Sequence, residues 1–301
     1  MLSEADLTPF LGISRISAPS SSLEGMIDLW VHGKSPHTQR YYRREAQKFL
    51  AMVAKPLELV TLADVQAYAT VLQSSDLAVS SQARAIAAIK SLFSFAHRKT
   101  GLLAANPAGP VTAPKVKDAL AERILPEAVV QMMIGLESDP RNRVLLKLLY
   151  IAGLRVSELT QLEWRSLQSR EVGGQVLIYG KGGKTRIIKL PASLWNELQT
   201  LRGDAEVDTP IFSSRKKQGH LTQVQVNRVV KAAAMRVPGL ERQVAAKVSP
   251  HWLRHAHASH AMDRGAPVHL VKETLGHASV ATTGRYLHAR PTDSSSLYLE
   301  S

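Results

Sequence analysis

The amino-acid sequence predicts a mainly α-helical protein of two domains, the second of which carries a small antiparallel sheet. Three observations lead to this prediction. The chain has 301 residues, which is longer than a typical single domain. Segments with helical periodicity fill both halves of the chain. Residues 174–190 instead show two branched apolar runs around a glycine-rich turn, a pattern that is typical of a β-hairpin.

Composition excludes several classes of protein. Apolar residues make up 45% of the chain, and no stretch approaches the ~18 uninterrupted apolar residues of a membrane span. The first ten residues, MLSEADLTPF, lack the basic and apolar regions of a secretory signal. Cysteine is absent, which excludes disulfides, thiol nucleophiles and cysteine-ligated zinc. We therefore expect an intracellular protein without a membrane partner.

Charge points to a polyanionic partner. The formal net charge is +13 and the pI is near 10.0, and most of the positive excess lies after residue 108. A strongly basic protein is most simply interpreted as a nucleic-acid binder, because phosphate contacts supply sequence-independent affinity. A basic protein with no polyanionic partner remains the alternative at this stage.

The first part of the chain predicts a small helical bundle. Residues 1–20 are punctuated by Ser and Pro and are expected to be flexible. Residues 21–108 contain four segments with helical spacing, at about 22–32, 36–54, 62–73 and 79–99. The second segment carries a basic stripe that either faces DNA or is an ordinary solvated surface, and it consists of Arg40, Arg43, Arg44 and Lys48.

A proline-containing linker over residues 109–123 leads into a second domain, residues 124–301. Its first helices are predicted at about 126–136 and 140–152. Arg155 then lies in a turn, with Ser157 expected as the N-cap of the next helix and Glu158 in its first turn. An arginine in such a turn is either a salt-bridge staple or a ligand clamp.

The hairpin at residues 174–190 carries Lys181 in its turn, followed by Lys184 and Arg186. Its GKGGKT string lacks the spacing and the following helix of a nucleotide-binding P-loop, so we expect no NTPase. A lysine at a flexible hairpin tip can instead reach into a groove or an active site. Further along, a basic loop contains Arg215, Lys216 and Lys217.

Helices at about 193–202 and 222–236 and a short strand at Ile211–Phe212 lead to the stretch 249–288. There Ser249 and Pro250 are expected to begin a helix that ends near residue 264. Another helix follows and is terminated by Gly276. His277 then lies in a loop before a last helix that carries Tyr286. The Ser-rich tail after residue 290 holds three apolar residues, namely Leu297, Tyr298 and Leu299.

The stretch 249–288 is unusually rich in imidazoles and guanidiniums, which are costly to bury without partners. Its histidines do not form a zinc motif: His251 and His255 are four apart, but no Glu follows His251, and Arg254 between them would repel a dication. The sequence contains neither a G-x-S-x-G elbow nor a cysteine, which argues against serine or cysteine hydrolase chemistry. A structural role suffices for any one histidine but not for the whole set.

Phosphoryl transfer to a tyrosine fits the set better. A phenol has a pKa of about 10 and needs nearby cations and a base to become a nucleophile. A phosphodiester gains negative charge in its transition state, which arginine forks and histidine donors stabilise. The leaving 5′-hydroxyl needs a proton, and a lysine with a lowered pKa can supply it. The chain offers all of these groups.

Four segments together resemble the successive signature boxes of the tyrosine recombinase family, also called phage integrases, and most closely its Xer-like bacterial members. These segments are GLRVSELTQ at 153–161, GKGGKTR at 180–186, PHWLRH at 250–255 and LGHASVATTGRYLH at 275–288. The resemblance implies that the four-helix segment is a SAM-like, core-binding domain that contacts DNA. It implies that residues 124–301 form a mostly helical α+β catalytic domain.

The resemblance also implies residue roles. Tyr286 would be the nucleophile, and Arg155 and Arg254 the phosphate clamp. Lys181 would be the general acid, with Lys184 as its rival. His251 would be the general base and His277 a further phosphate donor. Glu158 would orient the first arginine, and His255 would serve in packing or support. The residues expected to contact DNA outside the reaction centre are Arg40, Arg43, Arg44, Lys184, Arg186, Arg215, Lys216 and Lys217.

The implied activity is site-specific recombination through a 3′-phosphotyrosyl intermediate and a Holliday junction, without metal, ATP or another cofactor. The implied assembly is a homo- or hetero-tetramer on two double-stranded DNA sites, with the C-terminal tail exchanged between protomers. The implied location is the bacterial cytoplasm, at the nucleoid. Two alternatives remain open: a type IB topoisomerase-like nicking-closing enzyme, and a catalytically silent DNA-binding or architectural protein.

Overall fold

The structure, a computed structural model, describes residues 23–179, 185–214 and 219–289, with the side chains of the last three left out. The chain divides into two compact units, Met1–Lys117 and Asp118–Ser301. The division falls inside the segment that we expected to be a linker.

Four α-helices make up the described part of the first unit. They are α1 (Leu23–Val31), α2 (Pro36–Val53), α3 (Leu62–Gln73) and α4 (Val79–Arg98). Local caps explain their starts. Ser35 accepts a hydrogen bond from the main chain of Thr38 ahead of Pro36, and Thr61 and Asp64 form a reciprocal capping box. The candidate cap Ser22 lies outside the described residues.

Aromatic side chains form the centre of this unit. Phe49 of α2 is fully buried and meets Tyr68 and Phe93 edge-on, at ring-centroid distances of 5.2 and 5.6 Å. The chain after α4 then folds back on the same core, where Leu103, Ala108 and Val111 are buried. Part of the expected linker therefore packs against the first unit instead of running free.

The second unit is mostly helical. Its α-helices within the described residues are α5 (Glu127–Gly135), α6 (Pro140–Ile151), α7 (Val156–Leu159), α8 (Ala192–Arg202), α9 (Gln223–Met235), α10 (Arg242–Ala245), α11 (Pro250–Asp263), α12 (Val268–Leu275) and α13 (Val280–Ala289). The apolar helix α6 lies at the centre and packs against α8 and α11. The short helix α10 was not expected from the sequence.

A three-stranded antiparallel sheet in the order β1-β2-β3 accompanies these helices. Its strands are β1 (Leu167–Ser169), β2 (Gly174–Tyr179) and β3 (Thr185–Leu190). In the hairpin, Val176 lies opposite Ile188, and both are buried in the helical core. Gly174 is required because Trp195 covers its backbone: a Cβ there would lie 2.0 Å from the indole ring.

Two expectations about this unit need correction. Ile211–Phe212 is buried but lies between two isolated bridges, 163–210 and 213–220, and does not join the sheet. Helix α7 begins two residues earlier than expected, with Arg155 and not Ser157 as its N-cap residue. The main-chain N–H of Arg155 donates to Glu158 Oε2 at 2.8 Å, which satisfies a free donor at the helix start.

A second, smaller apolar cluster holds the last helix in place. Its buried members come from the start of this unit and from α11, α12 and α13, and they are Leu120, Ile124, Ala258, Val271, Leu275 and Tyr286. Tyr286 is therefore packed on the same unit that carries the other candidate residues. Among the helices that the structure describes, none has the length and apolar character that crossing a bilayer requires.

Candidate active site

Four separate stretches of the second unit bring the candidate residues together. Arg155 comes from the turn before α7, His251 and Arg254 from α11, His277 from the loop after α12, and Tyr286 from α13. A cavity of about 960 Å³ opens beside them. Three candidate residues line it, namely Arg155, Glu158 and His277. Residues of the hairpin also line it, among them Tyr179 and Arg186.

Arg254 is almost completely buried, with 4% of its surface exposed. Its two terminal nitrogens donate to the main-chain carbonyl oxygens of Gly153 and Leu275. Burial and the neighbouring Arg155 lower its pKa to about 10, so the guanidinium stays charged at neutral pH. Each terminal nitrogen carries a second N–H, which leaves donors for an anion.

Gly153 fits this arrangement because no side chain can replace its hydrogen. Its φ is +57°, a conformation that favours glycine. A Cβ at this position would lie 2.7 Å from Leu275 and 3.0 Å from the His257 ring. The glycine therefore allows its own carbonyl to reach Arg254 while α11 and α12 pack closely around it.

Arg155 is the more open of the two arginines. Its guanidinium donates to Glu158 Oε1 at 2.8 Å and to the carbonyl of Gly276 at 3.0 Å, and 36% of its side chain is exposed. The sequence left open whether Arg155 is a salt-bridge staple or a ligand clamp. The structure places it in a salt bridge and at the cavity wall at once, so the two interpretations are compatible.

Glu158 connects Arg155 to Arg186 at the wall of the cavity. Burial opposes its ionisation, but hydrogen bonds from Arg186 and from the Arg155 main chain lower its pKa to about 2. The carboxylate is thus charged at neutral pH and accepts from both guanidiniums. Glu158 therefore contacts Arg155 directly, and its role in orienting Arg155 stays a prediction.

Arg186 differs from what the sequence suggested. We expected a DNA contact, but its guanidinium faces inward with 13% of the side chain exposed. It donates to both Glu158 oxygens, at 2.9 and 2.8 Å, and to the carbonyl of Thr274 at 2.8 Å. Since Nε and both terminal nitrogens are occupied within the protein, Arg186 is a support for Glu158 and α12.

The ring of His277 lies parallel to the ring of the candidate nucleophile. Its ring is parallel to that of Tyr286 within 6°, at a centroid distance of 6.5 Å. Its Nδ1 pairs with the hydroxyl of Thr283 at 2.9 Å. Burial, then the charges of Arg254 and Arg155, lowers the pKa of His277 to about 4, so the imidazole is neutral at neutral pH and can donate through only one nitrogen.

Tyr286 is 5% exposed, and its hydroxyl has a partner that differs from the expected one. His255 Nδ1 lies 2.7 Å from the Tyr286 oxygen, whereas the hydrogen bonds described for the site include none between that oxygen and His251. His251 lies one helical turn away, with its ring centroid 6.4 Å from that of His255. Burial raises the pKa of the Tyr286 phenol, and the charges of Arg254 and Arg285 oppose that rise.

The remaining histidines of α11 serve the fold. His257 Nδ1 pairs with the carbonyl of Tyr150 at 2.8 Å, and His260 Nδ1 pairs with the Tyr150 hydroxyl at 3.1 Å. Both contacts join α11 to the end of α6. Neither histidine contacts Tyr286 among the described hydrogen bonds.

Other supporting residues were missed at the sequence level. Thr283 is fully buried and fixes His277; its spacing, one turn before Tyr286, could have revealed it. The Nη2 of Arg285 donates to both carboxylate oxygens of Asp118, at 2.8 and 2.7 Å. No local pattern signals that pair, because 167 residues separate its members.

The basic stripe on α2 of the first unit is partly neutralised within the protein. Arg43 pairs with Asp28, and Arg44 pairs with Glu45 at 3.1 Å. Arg40 is exposed. Five predicted site residues fall outside the described part of the chain, as does the apolar end of the tail; the five are Lys181, Lys184, Arg215, Lys216 and Lys217.

Two family models match the chain. The model described as "Phage integrase family" matches residues 122–293. The model described as "Phage integrase, N-terminal SAM-like domain" matches residues 26–100. The two matches correspond in order to the second and first units of the fold.

Curated relatives give the same result. The chain is 33% identical to a protein named Tyrosine recombinase XerC from Pelobacter propionicus, over 84% of this chain and 85% of the relative. It is 30% identical to a protein named Tyrosine recombinase XerD from Vibrio cholerae, over 91% of this chain and 93% of the relative.

Among solved structures, a lambda integrase dimer bound to a COC′ core site matches 90% of this chain and 95% of that chain, with a TM-score of 0.68 and 18% identity. The XerH site-specific recombinase bound to difH substrate matches 92% of this chain and 83% of that chain, with a TM-score of 0.64 and 22% identity. These two likenesses concern the fold. The family models and the relatives show that the chain belongs to the phage integrase family, the tyrosine recombinases, and is an enzyme of its Xer-like type.

Proposed function

We propose that this enzyme is a site-specific DNA recombinase that cuts and rejoins strands through a 3′-phosphotyrosyl intermediate and a Holliday junction. One observation supports this more than any other. The hydroxyl of Tyr286 is held by a neutral imidazole at 2.7 Å, in the same unit as the buried guanidinium of Arg254 and the open one of Arg155. A phenol, a base and two cations are the groups that phosphoryl transfer to tyrosine requires.

In the proposed reaction, Arg155 and Arg254 bind the non-bridging oxygens of the scissile phosphate, using N–H groups that the protein leaves free. His277, fixed by Thr283, donates a further hydrogen bond. Tyr286 attacks the phosphorus, and the 5′-oxygen leaves with a proton from Lys181, for which Lys184 is the alternative. A 5′-hydroxyl from the partner strand then attacks the phosphotyrosine and completes the exchange.

The proposed chemistry requires neither ATP nor a metal ion. The covalent phosphotyrosine conserves the phosphodiester linkage, so rejoining needs no further energy source. The arginines and His277 supply the stabilisation of transition-state charge that a metal supplies in other phosphoryl-transfer sites. We assign His251, which lies beside Arg254 on α11, to the same phosphate-binding wall.

The two units receive separate roles in this proposal. Residues 21–108 form a core-binding domain that contacts DNA, with Arg40, Arg43 and Arg44 on its surface, and residues 124–301 form the catalytic domain. Surface cations bind phosphates without reading sequence. Lys184 and the loop with Arg215, Lys216 and Lys217 are assigned to DNA contacts of the second domain.

The partner is double-stranded DNA, bound as two recombination sites by four protomers, either identical or of two kinds. Two facts support this assignment: the chain is basic overall, and relatives named XerC and XerD both match it. The tail with Leu297, Tyr298 and Leu299 is proposed to dock on a neighbouring protomer. Such an enzyme acts in the bacterial cytoplasm, at the nucleoid.

Trapping tests the proposal directly. The protein is expressed in bacteria, the genomic DNA covalently attached to it is recovered, and the attached 3′ ends are sequenced. We expect one recurrent sequence, linked to Tyr286, and no covalent DNA with Tyr286→Phe, which should still bind the recovered duplex. Covalent DNA on the Phe variant, or attachment at random sequences, would contradict the proposal.

The same duplex separates the two rivals. A type IB topoisomerase reseals the strand that it cut, so it relaxes a supercoiled plasmid with one site and yields no exchange between two sites. A catalytically silent binding protein yields neither product. We expect recombinant plasmids from two sites, and their absence alongside efficient relaxation would favour the topoisomerase.

A further inference from the structure

His255 is the histidine that touches the reacting atom. Its Nδ1 lies 2.7 Å from the Tyr286 oxygen, and the two rings are inclined by 44° at a centroid distance of 5.7 Å. Burial, then the charges of His251 and Arg123, lowers the pKa of His255 to about 4. At neutral pH the imidazole is therefore uncharged and can accept a hydrogen bond at Nδ1 while Nε2 carries the proton.

The surroundings of His255 disfavour a lasting positive charge on it. His251 and Arg254 lie on its own helix, α11. Arg123 comes from a 3-10 helix at Ala121–Arg123, and Arg285 from α13. Each of these groups is a cation or becomes one on protonation. An imidazole in such a place gives up an accepted proton readily, which suits a step that must run in both directions.

We propose that His255 holds the Tyr286 hydroxyl and accepts its proton when the tyrosine attacks, the part that the family resemblance gave to His251. This inference rests on the recombinase function proposed above. It makes His255 a catalytic residue, because His255 touches the reacting oxygen, and it leaves His251 as a group that binds phosphate.

The step balances in protons and bonds. In cleavage the O–H bond of Tyr286 breaks as its oxygen bonds to phosphorus, and the proton moves to His255 Nδ1. The bond from phosphorus to the 5′-oxygen breaks, and that oxygen takes a proton from the lysine acid. In rejoining, a 5′-hydroxyl attacks the phosphotyrosine and returns its proton to the lysine, while the His255 imidazolium returns its proton to the Tyr286 oxygen.

The position of His251 argues for this division of roles. His251 is exposed, and partial burial together with the charges of Arg254 and Arg155 lowers its pKa. Its described ring contact is with His255. His255 Nδ1, in contrast, lies within hydrogen-bond distance of the Tyr286 oxygen, so the phenol can pass its proton directly to His255.

Single-turnover formation of the covalent adduct tests the inference. The substrate is the duplex recovered by trapping, nicked so that the cleaved 5′ end diffuses away, and rates are measured from pH 5 to 8. His255→Gln keeps a hydrogen-bond acceptor but takes no proton. We expect adduct formation to slow by about 10²–10⁴-fold at pH 7. The wild-type rate should stay level, whereas the variant's rate should rise about tenfold per pH unit, because only the ionised phenol then reacts.

Three controls make the result specific. His269→Gln changes an exposed histidine on α12 and should leave rate and profile unchanged. His251→Gln should slow the reaction while keeping a level profile. A duplex with sulfur as the 5′ bridging atom needs no acid, because a thiolate leaves unprotonated; it should not rescue His255→Gln. Thermal unfolding and DNA binding are measured for each variant to confirm that it is folded.

The outcomes are distinguishable. A rising profile for His251→Gln with a level one for His255→Gln would return the role of proton acceptor to His251. A wild-type rate for His255→Gln would overturn the inference about His255. The recombinase function would still be supported if the wild-type protein attached covalently to DNA and Tyr286→Phe did not. No adduct from the wild-type protein would overturn both the recombinase and the inference.

Discussion

Replacing Gly153 by Ala tests how closely Leu275 and His257 pack around the glycine whose carbonyl binds Arg254. The positive φ of +57° at this residue costs a non-glycine residue about 1–2 kcal/mol. The added Cβ lies 2.7 Å from Leu275 and 3.0 Å from the His257 ring, and crowding of this kind in a packed core costs about 1–3 kcal/mol. We therefore expect the free energy of unfolding to fall by about 2–5 kcal/mol.

Gly239 provides the matched control for this substitution. Its φ is +78°, and a Cβ there meets nothing within 4 Å. Gly239→Ala should thus show the backbone cost alone, about 1–2 kcal/mol. Urea unfolding followed by circular dichroism measures both variants, and an unchanged m-value identifies the change as one of stability. Equal losses for the two variants would refute the claim that Leu275 and His257 confine Gly153.

Two other predictions concern charge. Raising the salt from 50 to 200 mM should weaken DNA binding steeply, by about 10³–10⁵-fold if six to ten phosphates are contacted; fluorescence anisotropy with a labelled duplex measures it, and a flat response would contradict phosphate-dominated binding. Glu158→Gln should lower the free energy of unfolding by about 3–5 kcal/mol, because Arg186 and Arg155 lose a buried carboxylate. Since the folded pKa of Glu158 is about 2 against a usual 4.5, its contribution is complete above pH 4.5 and is lost as the pH falls towards 2; thermal melts across this range should show wild type and variant converging.

Most of the helices could be predicted from the sequence because their signals are local. Ser35 with Pro36, and Thr61 with Asp64, mark helix starts within four residues of chain. Strand β1 could not be predicted, because three residues with one apolar side chain carry no alternation to detect. It pairs with β2 across the short turn at residues 170–173.

The sequence predicts which residues form the candidate site better than it predicts which of them contact each other. Helical spacing places His251 and His255 on one face of α11, but it does not say which of them the tyrosine reaches. That choice is made by the packing of α13 on α11, between residues 31 apart in the chain. Arg186 shows the same limit: strand alternation does not reveal that Glu158, 28 residues away, will bind its guanidinium.

The partners of the arginines explain how the site keeps positive charge available. Arg254 is held by two neutral carbonyls, of Gly153 and Leu275, so its charge is fixed in place without being cancelled. Arg155 and Arg186 share the single carboxylate of Glu158. Within the described part of this wall, three guanidiniums are therefore accompanied by one carboxylate. Burial, and then repulsion from Arg155, lowers the pKa of Arg254. Such an excess costs folding free energy, and a phosphodiester that gains negative charge as it reacts relieves the repulsion most at the transition state.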